Sequence, residues 1–133
     1  MTRYVLDARA VLHLAREGVQ VSAEHELLAP TLIRSQTLSL MHEAVHGGEM
    51  LADEAQALLA TVGKMRIRLL GDAVLRRVAW KLADELGWAS TYDAEYVALT
   101  QLQADALVTL DPDLARAAAA MVRVATLDAI EAG

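Results

Sequence analysis

The sequence predicts an α/β fold, a three-layer α-β-α sandwich around a mainly parallel central sheet. Short runs of β-favouring residues alternate with longer runs whose apolar residues recur at helical spacing. The connections between them are too short for long detours, so βαβ crossovers follow. At 133 residues and 55% hydrophobic composition, the chain fits one domain, 1–133, able to bury a core without disulfides or structural metal. No internal repeat, low-complexity tract or linker interrupts it.

The elements follow in order. "RYVL" places a short strand before Asp7, and "ARAVLHLAR" continues as a helix. "ELLA" at 26–29 is a second strand, after which Pro30 and Thr31 open a helix running to about His46 and stopped by Gly47-Gly48. A helix at 51–62 follows. "KMRIRLL" at 64–70 alternates basic and apolar residues, the pattern of a half-exposed strand whose charges discourage edge pairing. Asp72 to Leu86 reads as a helix, and Ser90 starts another that ends near Gln103. "ALVTL" at 106–110 is a buried strand ending at Asp111, Pro112 begins a short Ala-rich helix, and "VRVATL" at 122–127 is a last strand.

Composition excludes several classes of function. The chain has no Cys, so disulfides, Cys-ligated zinc and thiol nucleophiles are out, and any metal must be held by His, carboxylates or carbonyls. No apolar run approaches the roughly 18–20 residues that span a bilayer, and the first ten residues hold an Asp and no signal-like segment. A cytoplasmic protein with no membrane partner is the expectation. The net charge of −6 argues against coating nucleic acid by charge alone and leaves an acidic catalytic pocket open. Six of the twelve basic residues, Lys64, Arg66, Arg68, Arg76, Arg77 and Lys81, fall within 18 positions; such a cluster is either a solvated face or a substrate-steering one.

Asp7 and Asp111 each end a predicted strand, and Asp93 lies in the first turn of the helix after residues 87–89, so all three face one end of the sheet. Open parallel sheets place their binding crevice at that end. Singly, each has a structural reading: Asp7 and Asp111 as N-caps, and Ser90 with Asp93 as a capping box. Together in a partly buried crevice, three carboxylates repel one another and raise one another's pKa unless a cation lies between them. Mg²⁺ or Mn²⁺ suits oxygen ligands, and one or two such ions activate water and stabilise charge on a phosphoryl group. These residue types describe a phosphodiester-cleaving site.

The blocks "YVLDARAVLHLA", "LLAPTLIRSQTLSLM" and "STYDAEYVALTQLQADALVTLDPDLARAA" resemble, in order, the PIN-domain family, in particular the toxin ribonucleases of VapBC-type toxin-antitoxin pairs. The resemblance covers nearly the whole chain. It implies four acidic residues binding Mg²⁺ or Mn²⁺ for RNA cleavage, a homodimer, and a cognate antitoxin that blocks the toxin. Asp7 matches the first acidic position, Asp93 the third and Asp111 the fourth; Thr109 matches the hydroxyl residue two positions before the last. The second position departs from the pattern, with Gln36 where the family usually has Glu. Gln supplies no charge and no general-base capacity, so reduced metal affinity or turnover is one expectation and an inactive RNA- or protein-binding module the harsher one.

Gln36 also borders the apolar arc of its helix, where it can simply mark the rim of the core. Glu43 lies seven residues on, about 10 Å along the axis, and is a poor substitute. Asp113 is a possible auxiliary ligand, although an acidic residue in a first helical turn already favours the helix dipole. Tyr92 and Tyr96 read as packing rather than base-stacking groups, Glu95 as an exposed or rim residue, His13 and His25 as ordinary core or surface residues, and Trp80 and Trp88 as core or dimer surface.

"HEAVH", His42 to His46, spells the H-E-x-x-H of zinc peptidases. Both histidines share a face with Ser35 and Ser39, away from an apolar arc of Ile33, Thr37, Leu38, Leu40, Met41, Ala44 and Val45. No His follows His46, Glu49 replaces the Gly of the extended motif, and Asp53 or Glu54 would be an improbable third ligand on a surface helix. No zinc site is expected. A receiver-type phosphoacceptor also clusters aspartates at strand ends, but it needs a late Lys, and the last here is Lys81.

Overall fold

A computed structural model describes residues 1–131; the last two positions of the expected span 1–133 lie outside it. Five strands form one sheet in the order β3-β2-β1-β4-β5, with every pairing parallel. The strands are β1 (Thr2–Leu6), β2 (His25–Pro30), β3 (Ile67–Leu70), β4 (Ala106–Val108) and β5 (Val124–Ala125). The helices are α1 (Ala8–Glu17), α2 (Ile33–His46), α3 (Ala52–Lys64), α4 (Ala73–Leu86), α5 (Tyr92–Gln103) and α6 (Pro112–Ala118). A 3-10 turn, Leu127–Ile130, follows β5.

The chain winds from β1 to β2 to β3 in one direction and then returns past β1 to add β4 and β5. Right-handed crossovers therefore put α1, α2 and α3 on one face and α4 and α5 on the other. The contacts agree: α1, α2 and α3 pack on one another, while α4 packs on α5, which lies across β1, β2 and β4. A central strand buried on both faces has to be apolar throughout its buried part. Tyr4, Val5 and Leu6 of β1 and Ala106, Leu107 and Val108 of β4 meet that condition, and Val97, Ala98 and Leu99 of α5 pack against them in the main core. A smaller cluster of Leu12, Met41 and Ala55 ties α1, α2 and α3 together.

Winding reverses between β1 and β4, the pair in register at Leu6 and Val108. At such a switch point the two flanking crossovers diverge and leave a crevice beyond the strands' carboxyl ends. Asp7 follows β1 directly, and its backbone N–H donates to the Val108 carbonyl at 3.2 Å, so its position is fixed by the sheet.

Several boundaries differ from the sequence reading. Pro30 closes β2 instead of opening α2, which begins at Ile33. A proline at the end of a strand forgoes only a ladder bond that the strand no longer needs. Strand β4 ends at Val108, because Thr109 and Leu110 turn away into the α6 cap, and β5 keeps only two residues of the expected six at 122–127. The alternating basic run narrows to β3, an edge strand as its charges predict. Leu38, assigned to the apolar arc of α2, is 58% exposed. Trp88 is half-buried against the core, whereas Trp80 is 69% exposed on α4. Among the described residues no helix is long and apolar enough to cross a membrane.

Candidate active site

Asp7, Asp93 and Asp111 line one cavity of about 460 Å³ at the switch point, together with Gln36. Asp7 is 8% exposed. As the N-cap of α1 it accepts from the Ala10 N–H at 2.9 Å through Oδ1, and through Oδ2 it accepts from the Thr109 hydroxyl. The Thr109 oxygen in turn accepts from the Asp111 N–H at 3.0 Å. Thr109 thus joins the ends of β1 and β4. Asp111 caps α6, its Oδ1 accepting from Asp113 N–H at 2.9 Å and Leu114 N–H at 3.4 Å.

The capping readings of Asp7 and Asp111 therefore hold, and neither exhausts the carboxylate: among the described residues Oδ2 of Asp111 accepts nothing. For Asp93 the capping reading fails. Thr91 is the N-cap of α5 without a side-chain bond, and Ser90 Oγ accepts from Tyr92 N–H at 3.2 Å. Asp93 has no hydrogen-bond partner among the described residues and lines the cavity with its carboxylate uncommitted.

Burial is the first cause of the raised pKa of Asp7; the Thr109 and Ala10 bonds and the Arg9 charge oppose it, and Asp111 adds to it. Asp93 is accessible at the cavity mouth, yet its pKa is also raised, first by desolvation between the walls and then by the charges of Asp111 and Asp7. The charge of Asp111 thus reaches both Asp7 and Asp93, and that of Asp7 reaches Asp93. The three carboxylates are not, however, closed into a ligand shell: among the described residues no three His, Cys, Asp or Glu side chains stand ready to hold one ion.

Gln36 occupies the α2 wall, where its Oε1 accepts a short hydrogen bond from the Tyr96 hydroxyl. With that oxygen taken, the free end of the amide is its NH₂, a donor. Tyr96, 1% exposed, is a core residue whose pKa is pushed up, chiefly by burial and then by Asp7, Glu95 and Asp93, so its proton stays on the oxygen to serve Gln36. Tyr92, expected to pack, is 56% exposed on the cavity wall. Glu95 is half-buried and raised in pKa by desolvation. Asp113 does not line the cavity; it is exposed and paired with Arg116.

Arg9 escapes the sequence reading; it stands two residues after Asp7 and lines the cavity. Glu43, set aside there as a poor substitute for the acidic position, and Ser39, placed on the polar face, also line it, Ser39 Oγ donating to Glu43 Oε2 at 2.6 Å. At 100° per residue, Leu32, Ser35, Gln36, Ser39, Leu40 and Glu43 form one stripe of α2, and all six line the cavity. The polar side of α2 is thus divided between solvent and site. His42 and His46 fall on its outer part, exposed and outside the cavity.

No protein-family model matches the sequence, and a search of curated proteins finds no match. Solved structures do match. PAE2754 from Pyrobaculum aerophilum superposes with a TM-score of 0.72 over 96% of this chain and 92% of its own, at 19% identity. A chain of VapBC2 from Rickettsia felis, solved bound to a DNA fragment from their promoter, superposes with a TM-score of 0.63 over 93% of this chain and 98% of its own, at 11% identity. At those identities the likeness establishes the fold: a five-stranded, all-parallel PIN-like α/β sandwich shared with a VapBC protein.

Proposed function

We propose that the chain is a Mg²⁺- or Mn²⁺-dependent endoribonuclease, the toxin of a VapBC-type pair, with Asp7, Asp93 and Asp111 as its metal-binding and catalytic carboxylates. One observation carries the reading: residues from opposite ends of the sequence bring three carboxylates to one cavity at the switch point, where the charge of Asp111 reaches the other two. A hard cation relieves that repulsion, and the donors are all oxygen. The three carboxylates do not form a closed shell among the described residues, an arrangement that Mg²⁺ tolerates because it keeps several waters and takes only one or two carboxylates. When bound, such an ion supplies Lewis-acid stabilisation of a phosphoryl oxygen and lowers the pKa of a coordinated water.

The protein's own groups have distinct tasks in this reading. Asp7 is held rigid by Ala10 and Thr109, Asp111 by its cap bonds, and Asp93 keeps both oxygens free. Gln36, with its carbonyl taken by Tyr96, offers an N–H to a phosphate oxygen more readily than an oxygen to a cation. Cleavage therefore proceeds with two or three carboxylates and a neutral fourth position, at reduced turnover. The partners in this reading are an RNA substrate, a cognate antitoxin and a second copy of the chain, in the cytoplasm.

The test uses antitoxin-free protein and structured RNAs with Mn²⁺ or Mg²⁺, beside EDTA and Asp7→Asn controls. Cleavage that both controls abolish is expected; cleavage that survives them defeats the mechanism. The second reading, a PIN-like module that binds RNA or protein without cutting, is favoured by Gln36 and by the open carboxylate shell. No cleavage of any RNA, with or without Gln36→Glu, selects it.

A further inference from the structure

The carboxylate cavity is the middle of a longer trench. On one side it shares Gln36, Tyr92 and Asp93 with a second cavity that reaches Trp88 and Ser90. On the other it shares Arg9, Leu40 and Glu43 with a third, lined also by His13 and Arg16. The two ends differ in chemistry. At the first, Gly87 takes a left-handed conformation (φ 70°) that ends α4 and turns Trp88 back, its N–H donating to the Ala83 carbonyl at 2.8 Å. Tyr92, 56% exposed, then stands beside Asp93 with its ring available. At the other end, Arg9, His13 and Arg16 recur at four- and three-residue spacing and share one exposed face of α1. Neither arginine forms an ion pair among the described residues. Glu43 and Glu49 line the same cavity and match the two arginines in charge, so an anion is held there by direct contact with a guanidinium and not by a net positive field.

An exposed aromatic, a central set of carboxylates and unpaired arginines in one continuous groove match the succession of parts along a nucleic-acid strand. We infer that a single strand of RNA lies along this trench, with one unstacked base seated on Tyr92 beside Trp88 and the phosphates on the far side of the cleavage point held by Arg9 and Arg16. The inference rests on the nuclease reading for the identity of the polymer. A duplex keeps its bases stacked inside and cannot offer one to Tyr92, so the trench selects unpaired segments.

Binding can be measured without cleavage, in EDTA with Asp93→Asn protein and a labelled single-stranded RNA, by fluorescence anisotropy across a salt series. Loss of a stacked base weakens binding by roughly 5- to 100-fold, so Tyr92→Ala is expected to fall in that range and Tyr92→Phe to stay near the parent. Each phosphate contact contributes about 0.7 to the salt slope on a single strand, so Arg9→Gln with Arg16→Gln is expected to lower it by about 1.4. Arg76→Gln with Arg77→Gln, equal in charge but beside the exposed Trp80 of α4, leaves the slope unchanged. An equal fall in that control, or a Tyr92→Ala affinity equal to the parent's, overturns the inference, as does tighter binding of the matching duplex. The nuclease reading fails separately, if wild-type protein binds RNA in this way and never cuts it with Mn²⁺ or Mg²⁺.

Discussion

Thr109 shows how a small residue can set the geometry of a charged site. Its hydroxyl donates to Asp7 and accepts from the Asp111 backbone, so one oxygen fixes the ends of two strands. Thr109→Val removes both bonds while keeping the shape; a loss of roughly 1–3 kcal/mol in stability is expected, mainly from leaving the buried Asp7 oxygen unpaired, with Thr109→Ser restoring most of it in chemical denaturation. Asp7 and Asp111 require a different design. Both are helix N-caps, and Ala at either would cost about 1 kcal/mol through the helix alone, whereas Asn caps as well as Asp. Asp7→Asn and Asp111→Asn are therefore expected to keep the melting temperature and lose activity, while the Ala variants lose both. Gln36→Glu tests the fourth position. A carboxylate there accepts the Tyr96 hydroxyl as Gln does, so the fold tolerates it, and turnover with Mn²⁺ is expected to rise about tenfold or more, the worth of one well-placed charge-assisted contact. At this scale the sequence showed which acids meet at one cavity, because strand ends and helix starts are local signals. It did not show that Tyr96 engages Gln36 or that Tyr92 stands exposed, since both depend on how α2 and α5 face each other across the sheet.

Helix α2 carries two chemistries that a helical wheel does not separate by itself. The stripe from Leu32 to Glu43 lines the cavity, and His42 and His46 lie beside it on the exposed part of the same polar side. Replacing both histidines by Ala is expected to leave RNA cleavage within about twofold, inside the usual spread of surface changes near ±0.5 kcal/mol; a large loss without unfolding would return the motif to consideration. Helix α5 makes the companion case. Asp93 is not consumed by a cap, and its pKa is raised by burial, Asp111 and Asp7. Between the ordinary 3.8 and its raised folded value, the folded state holds the proton more firmly, so stability falls as pH rises through that window and the cost is complete above it. Asp93→Asn is therefore expected to raise metal-free stability at pH 7, by an amount that solvent screening of this exposed carboxylate keeps small, and to lose that advantage as pH falls to the ordinary 3.8, as thermal unfolding across pH would show. The element pattern was legible because apolar periodicity is local. Boundaries at Pro30, Thr109 and β5 were not, because strand length depends on how far each neighbour continues to pair.

Over the whole molecule, the sheet order explains why the acids meet. Asp7 and Asp111 leave the two strands that flank the reversal of winding, and the crossing of α5 over β1 and β4 supplies Asp93. Core and site thus share one cause, and the apolar strands that fill the core also hold mutually repelling charges at its edge. A mainly parallel sheet was foreseeable from alternating elements and short connections, though its strand order was not, since only the return past β1 decides which strand β4 joins. The site is open in the same sense as the carboxylate shell, so cation binding should stabilise the folded chain as a linked equilibrium. Free Mn²⁺ at a hundredfold excess over its Kd adds about 2.7 kcal/mol, and no such gain is expected for the Asp7→Asn, Asp111→Asn double variant. The RNA target need not be known for this question, which makes calorimetric titration of the metal-free protein with Mn²⁺ the most direct test of the central claim. Saturable binding to the wild type that the double variant loses, while keeping its fold, is the predicted result; identical isotherms for the two proteins would contradict the assignment of these aspartates as a metal centre.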